Sequence, residues 1–114
     1  MEFADLKGLV LDKIEVGEHR EVMRLVASDG RKFVMEHDQD CCENVQIEDI
    51  CGDLEDLLGS PILRAEERTE EITGSDELSQ YTFYELATIK GSVTIRWLGE
   101  SNGYYGVEVT FRAA

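Results

Sequence analysis

Seven consecutive residues, His37-Asp38-Gln39-Asp40-Cys41-Cys42-Glu43, gather imidazole, carboxylate and thiol groups, and Cys51 follows nine positions after Cys42. Those side chains are metal ligands, and His37, Asp40, Cys41, Cys42 and Cys51 are the candidate set. Zinc wants four such donors in a tetrahedron. The spacing works against it, because adjacent residues of an extended chain point to opposite faces. Cys41 and Cys42 can share one ion only if the backbone turns sharply between them. Asp38-x-Asp40-x-x-Glu43 echoes a calcium loop but lacks its glycine and its distant bidentate glutamate. The competing reading makes one cysteine a small buried apolar residue and places the other at a strand-to-loop junction. A Cys–His nucleophile is conceivable with His37, yet the crowding carboxylates oppose thiolate formation.

A second constellation lies near the C-terminal end of the chain. Asn102, Tyr104 and Tyr105, with Arg96 upstream, offer stacking area and a guanidinium, the elements of a small-molecule or nucleotide-sequestering site. The competing reading is a hairpin turn served by Gly103 and Gly106. No Lys-Ser/Thr follows these glycines, so this is not a phosphate-cradling loop. No catalytic constellation and no cofactor motif is present, and the sequence favours a non-enzyme without a cofactor.

Charge is the third feature. The 114 residues hold 25 acids against 11 bases, a formal net charge of −14. Residues 36–77 alone carry fifteen acids and two bases, Arg64 and Arg68, whereas the two flanking segments are close to neutral. Direct binding to nucleic acid or to an anionic membrane needs clustered Lys and Arg and is disfavoured. An acidic surface instead fits a partner protein with a basic surface, with Asp49, Asp53, Glu55, Asp56, Glu66 and Glu67 as the candidate contacts. The competing reading is a solvated face that maintains solubility.

The elements that must position these residues follow mostly a period of two. Asp29-Gly30 between residues 22–28 and 31–37 is a hairpin signal, as is Lys90-Gly91 between 82–89 and 92–98. Phe83, Ala87 and Ile89 share one face, and Phe33, Phe83, Trp97 and Phe111 read as core. Val107, Val109 and Phe111 alternate with polar residues in a last strand over 106–112. Ile47, Ile50, Cys51, Leu54, Leu57 and Leu58 fall at helical spacing. Gly52 interrupts them, and a short helix is expected near residues 53–58, closed by Gly59 and Pro61. Val45, Ile47 and Asp49 read equally as a short strand. Residues 66–80 read as an exposed loop. The expected fold is one domain over 1–114, α+β but mostly β, with a single antiparallel sheet of about six to seven strands built from hairpins.

The run HDQDCCENVQIEDICGDLEDLLGSPILRAEE, the segment YTFYELATIKGSVTIRW and the ending GESNGYYG resemble a family of small uncharacterised proteins of bacteriophages, prophages and bacterial genomes. The specific parts are Asp40-Cys41-Cys42 and Ser101-Asn102-Gly103-Tyr104-Tyr105-Gly106. This resemblance implies a mobile-element context and brings no catalytic residues. The start, with Glu2 and Asp5 and no basic leader region, is not a secretory signal. The expected compartment is therefore the (host) cytoplasm, where three cysteines stay reduced. The function expected on these grounds is binding and inhibition of a host protein, one concerned with defence or nucleic-acid handling, through the acidic surface.

Overall fold

The computed structural model describes residues 2–39, 42–72, 78–102 and 106–114. Its strands are β1 (Leu11–Val16), β2 (Val22–Ala27), β3 (Lys32–Glu36), β4 (Asn44–Cys51), β5 (Arg64–Ile72), β6 (Leu78–Thr88), β7 (Gly91–Ser101) and β8 (Thr110–Ala113). They form two separate four-stranded sheets, ordered β1-β2-β3-β8 and β4-β7-β6-β5. All ladders are antiparallel. The expectation of one sheet of six to seven strands is overturned. Local hairpin signals correctly pair β2 with β3 and β6 with β7. They carry no information about where the chain leaves one sheet for the other. It does so twice, after β3 and after β7, and β8 returns to lie beside β3.

The two sheets share one apolar core. Leu11, Met23, Leu25, Phe33 and Met35 come from the first sheet; Val45, Ile47, Tyr84, Leu86, Val93, Ile95 and Trp97 come from the second. Two 3₁₀ turns cover gaps in this core. η1 (Phe3–Leu6) buries Phe3 and Leu6, and η2 (Leu54–Leu57) buries Leu57. The short α-helix expected over 53–58 is thus only a single 3₁₀ turn, and no α-helix occurs among the described residues. Gly52 and Gly59 flank it with φ of +114° and +78°, which leaves room for four residues. Asp53 caps the turn by accepting from the Glu55 N–H at 3.0 Å.

The 45–51 segment is strand, as its alternating residues allowed. Its ladder with β7 slips between Ile47 and Asp49, so Glu48 is a bulge residue. Of the segment expected as an exposed loop, 66–72 belong to β5 and 78–80 to β6, and 73–77 lie outside the described residues. β5 is nonetheless exposed along most of its length, because it is an edge strand rich in charged residues. The face assignment in β6 is also inverted. Tyr84 and Leu86 pair with Ile95 and Val93 on the core side, which turns Phe83 and Ala87 outward, and Ile89 is exposed in the turn. Both faces of TFYELATI are apolar enough that its parity is settled only by the partner strand.

Two glycines meet backbone demands. Gly30 takes φ +92° in the β2–β3 turn. Gly91 lies at the start of β7, where an added Cβ would come 2.9 Å from an Asp56 carboxylate oxygen, so the glycine lets η2 sit close on the sheet. No helix among the described residues is long and apolar enough to cross a membrane.

Candidate functional site

The acidic candidates do not converge on one patch. Asp49 sits on β4 and Glu66 and Glu67 on β5, the opposite edge, three strand spacings or about 14 Å away. Asp53, Glu55 and Asp56 belong to η2 at the end of the sheet, where Lys90 donates to the Leu58 carbonyl at 2.8 Å and Thr88 donates to the Asp56 carbonyl. Glu66 pairs with Glu85 on the outer face, whereas Glu67 is opposite the buried Tyr84.

Where acids and aromatics do meet is the open side of the two sheets, between edge strand β5 and the segment entering β8. η1 is seated there and leaves a cleft of about 540 Å³. Glu2 and Glu67 stand around it, Glu66 borders it from the outward-facing position, where Arg64 Nε lies 4.0 Å from its carboxylate, and Phe3, Val109 and Phe111 supply its apolar wall. Among the described residues, no lysine or arginine lines it. Phe3 meets Phe111 edge-on at 5.5 Å and tilts against Tyr84 at 4.6 Å. Burial pushes the Tyr84 hydroxyl well above the usual tyrosine range, and the nearby Glu67 carboxylate adds to the effect. That hydroxyl donates toward the Val109 carbonyl at 3.5 Å. A carboxylate-rimmed aromatic pocket of this kind suits a cationic side chain, which gains both ion pairing and a ring face. Glu66 and Glu67 were legible from charge alone. Glu2, Phe3 and Phe111 were not, although Phe3 and Leu6, three apart, are the spacing of a one-turn plug.

On the outer face of the second sheet the arginines are already engaged. Arg64 and Arg68 reach Glu85 at 2.7 and 3.9 Å, and Arg96 reaches the bulged Glu48 at 2.6 Å. Arg68 lies over Phe83 at 4.2 Å and Arg96 over Tyr81 at 5.3 Å. Arg96 is therefore held mid-strand, about 17 Å from the end of β7 at Ser101. It is not gathered with Asn102 into a ligand site, and Tyr104 and Tyr105 lie outside the described residues.

The outer face of the first sheet has the opposite sign. Lys13, Arg24, Lys32 and Arg112 lie along its exposed positions with Asp12, Glu15 and Glu36, and Arg24 and Arg112 are the cross-strand neighbours of Val34. Among the described residues, Arg24 and Lys32 are the bases there that no ion pair engages, so this face carries a small local excess of base.

The metal candidates separate. Asp40 and Cys41 lie outside the described residues. Cys42 is disulfide-bonded and Cys51 is free and exposed, so the expectation of three reduced thiols fails at Cys42. β4 carries Cys51 roughly 20 Å from the strand's start beside Glu43. The His37 side chain is little exposed, and its Nε2 lies 3.8 Å from the Glu43 carboxylate. No group of three or more His, Cys, Asp or Glu side chains suited to a metal ion occurs among the described residues.

Residues 7–111 match the model of a family described as a domain of unknown function. No curated protein matches the chain. No solved structure matches it either.

Proposed function

Since the chain belongs to the DUF7448 family, whose membership brings no assigned activity, we propose from its own residues that it is a non-enzymatic binding protein for a basic protein partner. The single observation carrying this reading is the cleft beside η1, in which Glu2 and Glu67, with Glu66 at the outer rim, flank an apolar wall built on Phe3 and Phe111. A lysine or arginine side chain of the partner enters it. The remaining acids on β4 and η2 steer the encounter from a distance, and the basic outer face of the first sheet is turned away. The resemblance to phage-borne proteins supports a host protein as the partner, inhibited by occupation of its basic surface.

The test is capture of partners from a host lysate, at low and at moderate salt, by the wild type and by two charge-reversed variants. Glu66→Lys with Glu67→Lys is expected to abolish capture. Reversal of Asp53, Glu55 and Asp56 is expected to slow association and leave the bound complex largely intact. Capture insensitive to salt, or unaffected by the Glu66/Glu67 reversal, overturns the reading.

A further inference from the structure

The edges of the two sheets are protected in different ways. An edge strand presents unpaired N–H and C=O groups to any chain able to lie beside it, and a bulge, a short length or a covering segment blunts that tendency. β1 has a register break between Leu11 and Lys13, and residues 58–61 lie against its start, where the Gly59 N–H donates to the Leu11 carbonyl at 2.9 Å. β4 has a break between Ile47 and Asp49, and the Ile47 N–H donates to the Arg20 carbonyl at 2.7 Å. β8 is only four residues long. β5 has none of these devices. It runs for nine residues without a proline, in unbroken register with β6 from the Arg64–Ala87 pair to the Ile72–Ser79 pair. Among the described residues, no backbone hydrogen bond outside the β5–β6 ladder involves 64–72.

What β5 has instead is charge. Glu66 and Glu70 share one parity and Glu67 and Glu71 the other, and all of 66–72 is exposed. Arg64 and Arg68 reach across to Glu85, which leaves Glu67, Glu70 and Glu71 without an ion pair among the described residues. These acids oppose a second copy at the same edge. An antiparallel pair of β5 strands centred on Arg68 sets Glu66 against Glu70 in both halves and Arg68 against itself. A strand rich in lysine or arginine meets carboxylates on both of its faces instead. Ile72, 43% exposed, adds an apolar contact at the far end. The cleft beside η1 lies at Ala65, Glu66 and Glu67, so 68–72 continue from it as an open edge of about 17 Å.

We propose that β5 is the docking edge for an extended, lysine- or arginine-rich segment of the partner protein, which adds to the second sheet as a fifth strand. Main-chain hydrogen bonds to 68–72 hold it, pairing with Glu70 and Glu71 selects its charge, and a cationic side chain at its end reaches the cleft. This rests on the reading of the cleft as a site for a basic partner and adds the backbone as the means of recognition.

The test is fluorescence anisotropy on the full chain at low salt with a labelled peptide, Lys-Lys-Thr-Val-Lys-Lys-Thr-Val-Lys. Two analogues are N-methylated on alternate residues, one on each parity, so each keeps every charge and loses the N–H groups along one edge. The unmodified peptide is expected to bind, and the analogue methylated along the edge facing β5 to bind at least about tenfold more weakly. Glu70→Lys with Glu71→Lys, outside the cleft, is expected to weaken the unmodified peptide at least about tenfold. Amide hydrogen exchange within 66–72 is expected to slow when the peptide binds. No binding, equal binding of all three peptides, or unchanged exchange over 66–72 overturns the proposal, and each of these is read on the wild type without relying on the variant. Protection of β5 that grows with protein concentration in the absence of peptide also overturns it, since the occupant is then a second copy. The cleft reading fails separately: it requires Glu66 and Glu67 and is indifferent to N-methylation of the peptide and to reversal of Glu70 and Glu71.

Discussion

Tyr84 offers the sharpest test of how the second sheet meets the cleft. Its ring is wholly buried and its hydroxyl is held protonated far above the ordinary tyrosine value of 10.0. A group whose folded-state value is raised contributes stability that is complete below the unfolded value. That stability drains away as pH climbs above it, because the unfolded chain alone releases the proton. With an unfolded value of 10 and no ionisation in the fold, the loss from Tyr84 is about 0.4 kcal/mol at pH 10 and about 1.4 kcal/mol at pH 11. Other tyrosines and lysines titrate in the same range, so the measurement is a difference. Urea unfolding of the wild type and of Tyr84→Phe is followed by circular dichroism at pH 8, 10 and 11. At pH 8 the variant is expected to be weaker by about 0.5–1.5 kcal/mol, the worth of the lost hydroxyl contacts. The gap closes by about 1.4 kcal/mol at pH 11, since only the wild type suffers the extra loss. Parallel pH curves for the two proteins refute the claim that the fold excludes the phenolate.

Three further outcomes follow from packing and charge. Phe3→Ala removes the ring that plugs the open side of the core and is expected to cost about 3–5 kcal/mol by urea unfolding. Gly99→Ala places a Cβ 2.5 Å from the Cβ of Val107, and a lower melting temperature is expected from a cost of about 1–3 kcal/mol; an unchanged melt contradicts the close approach. Arg64→Ala breaks an exposed pair with Glu85 and is expected to cost less than about 1 kcal/mol, falling further in 0.5 M salt.

Strand existence was legible in the sequence because period-two alternation and the turns at Asp29-Gly30 and Lys90-Gly91 are local properties. Sheet membership was not, because leaving one sheet for another is decided by contacts between distant segments. The helical spacing of Ile47, Ile50, Leu54, Leu57 and Leu58 misled for a related reason. One bulge at Glu48 followed by one 3₁₀ turn reproduces the offsets of a helix without forming one. Within the candidate cleft, net charge pointed to Glu66 and Glu67. Their aromatic companions come from both ends of the chain, where nothing in the local pattern links Phe3 to Phe111. At His37 the sequence drew attention to the cysteines, and the ion-pair neighbour that the fold provides at 3.8 Å is Glu43.

The placement of β8 beside β3 bears on how the protein is made. Thr110 bonds to the Glu36 carbonyl across 74 positions of sequence, and every rung of that ladder spans a comparable loop. Until residues 110–113 have left the ribosome, β3 is an open edge with its hydrogen-bonding groups unpaired. Every strand of the second sheet is synthesised before that moment, whereas the first sheet still lacks β8. Such long-range closure slows folding. During synthesis, the interval in which β3 is exposed lasts for the time needed to translate the whole second sheet, and a ribosome stalled after β7 presents a chain poised to pair with a strand from elsewhere.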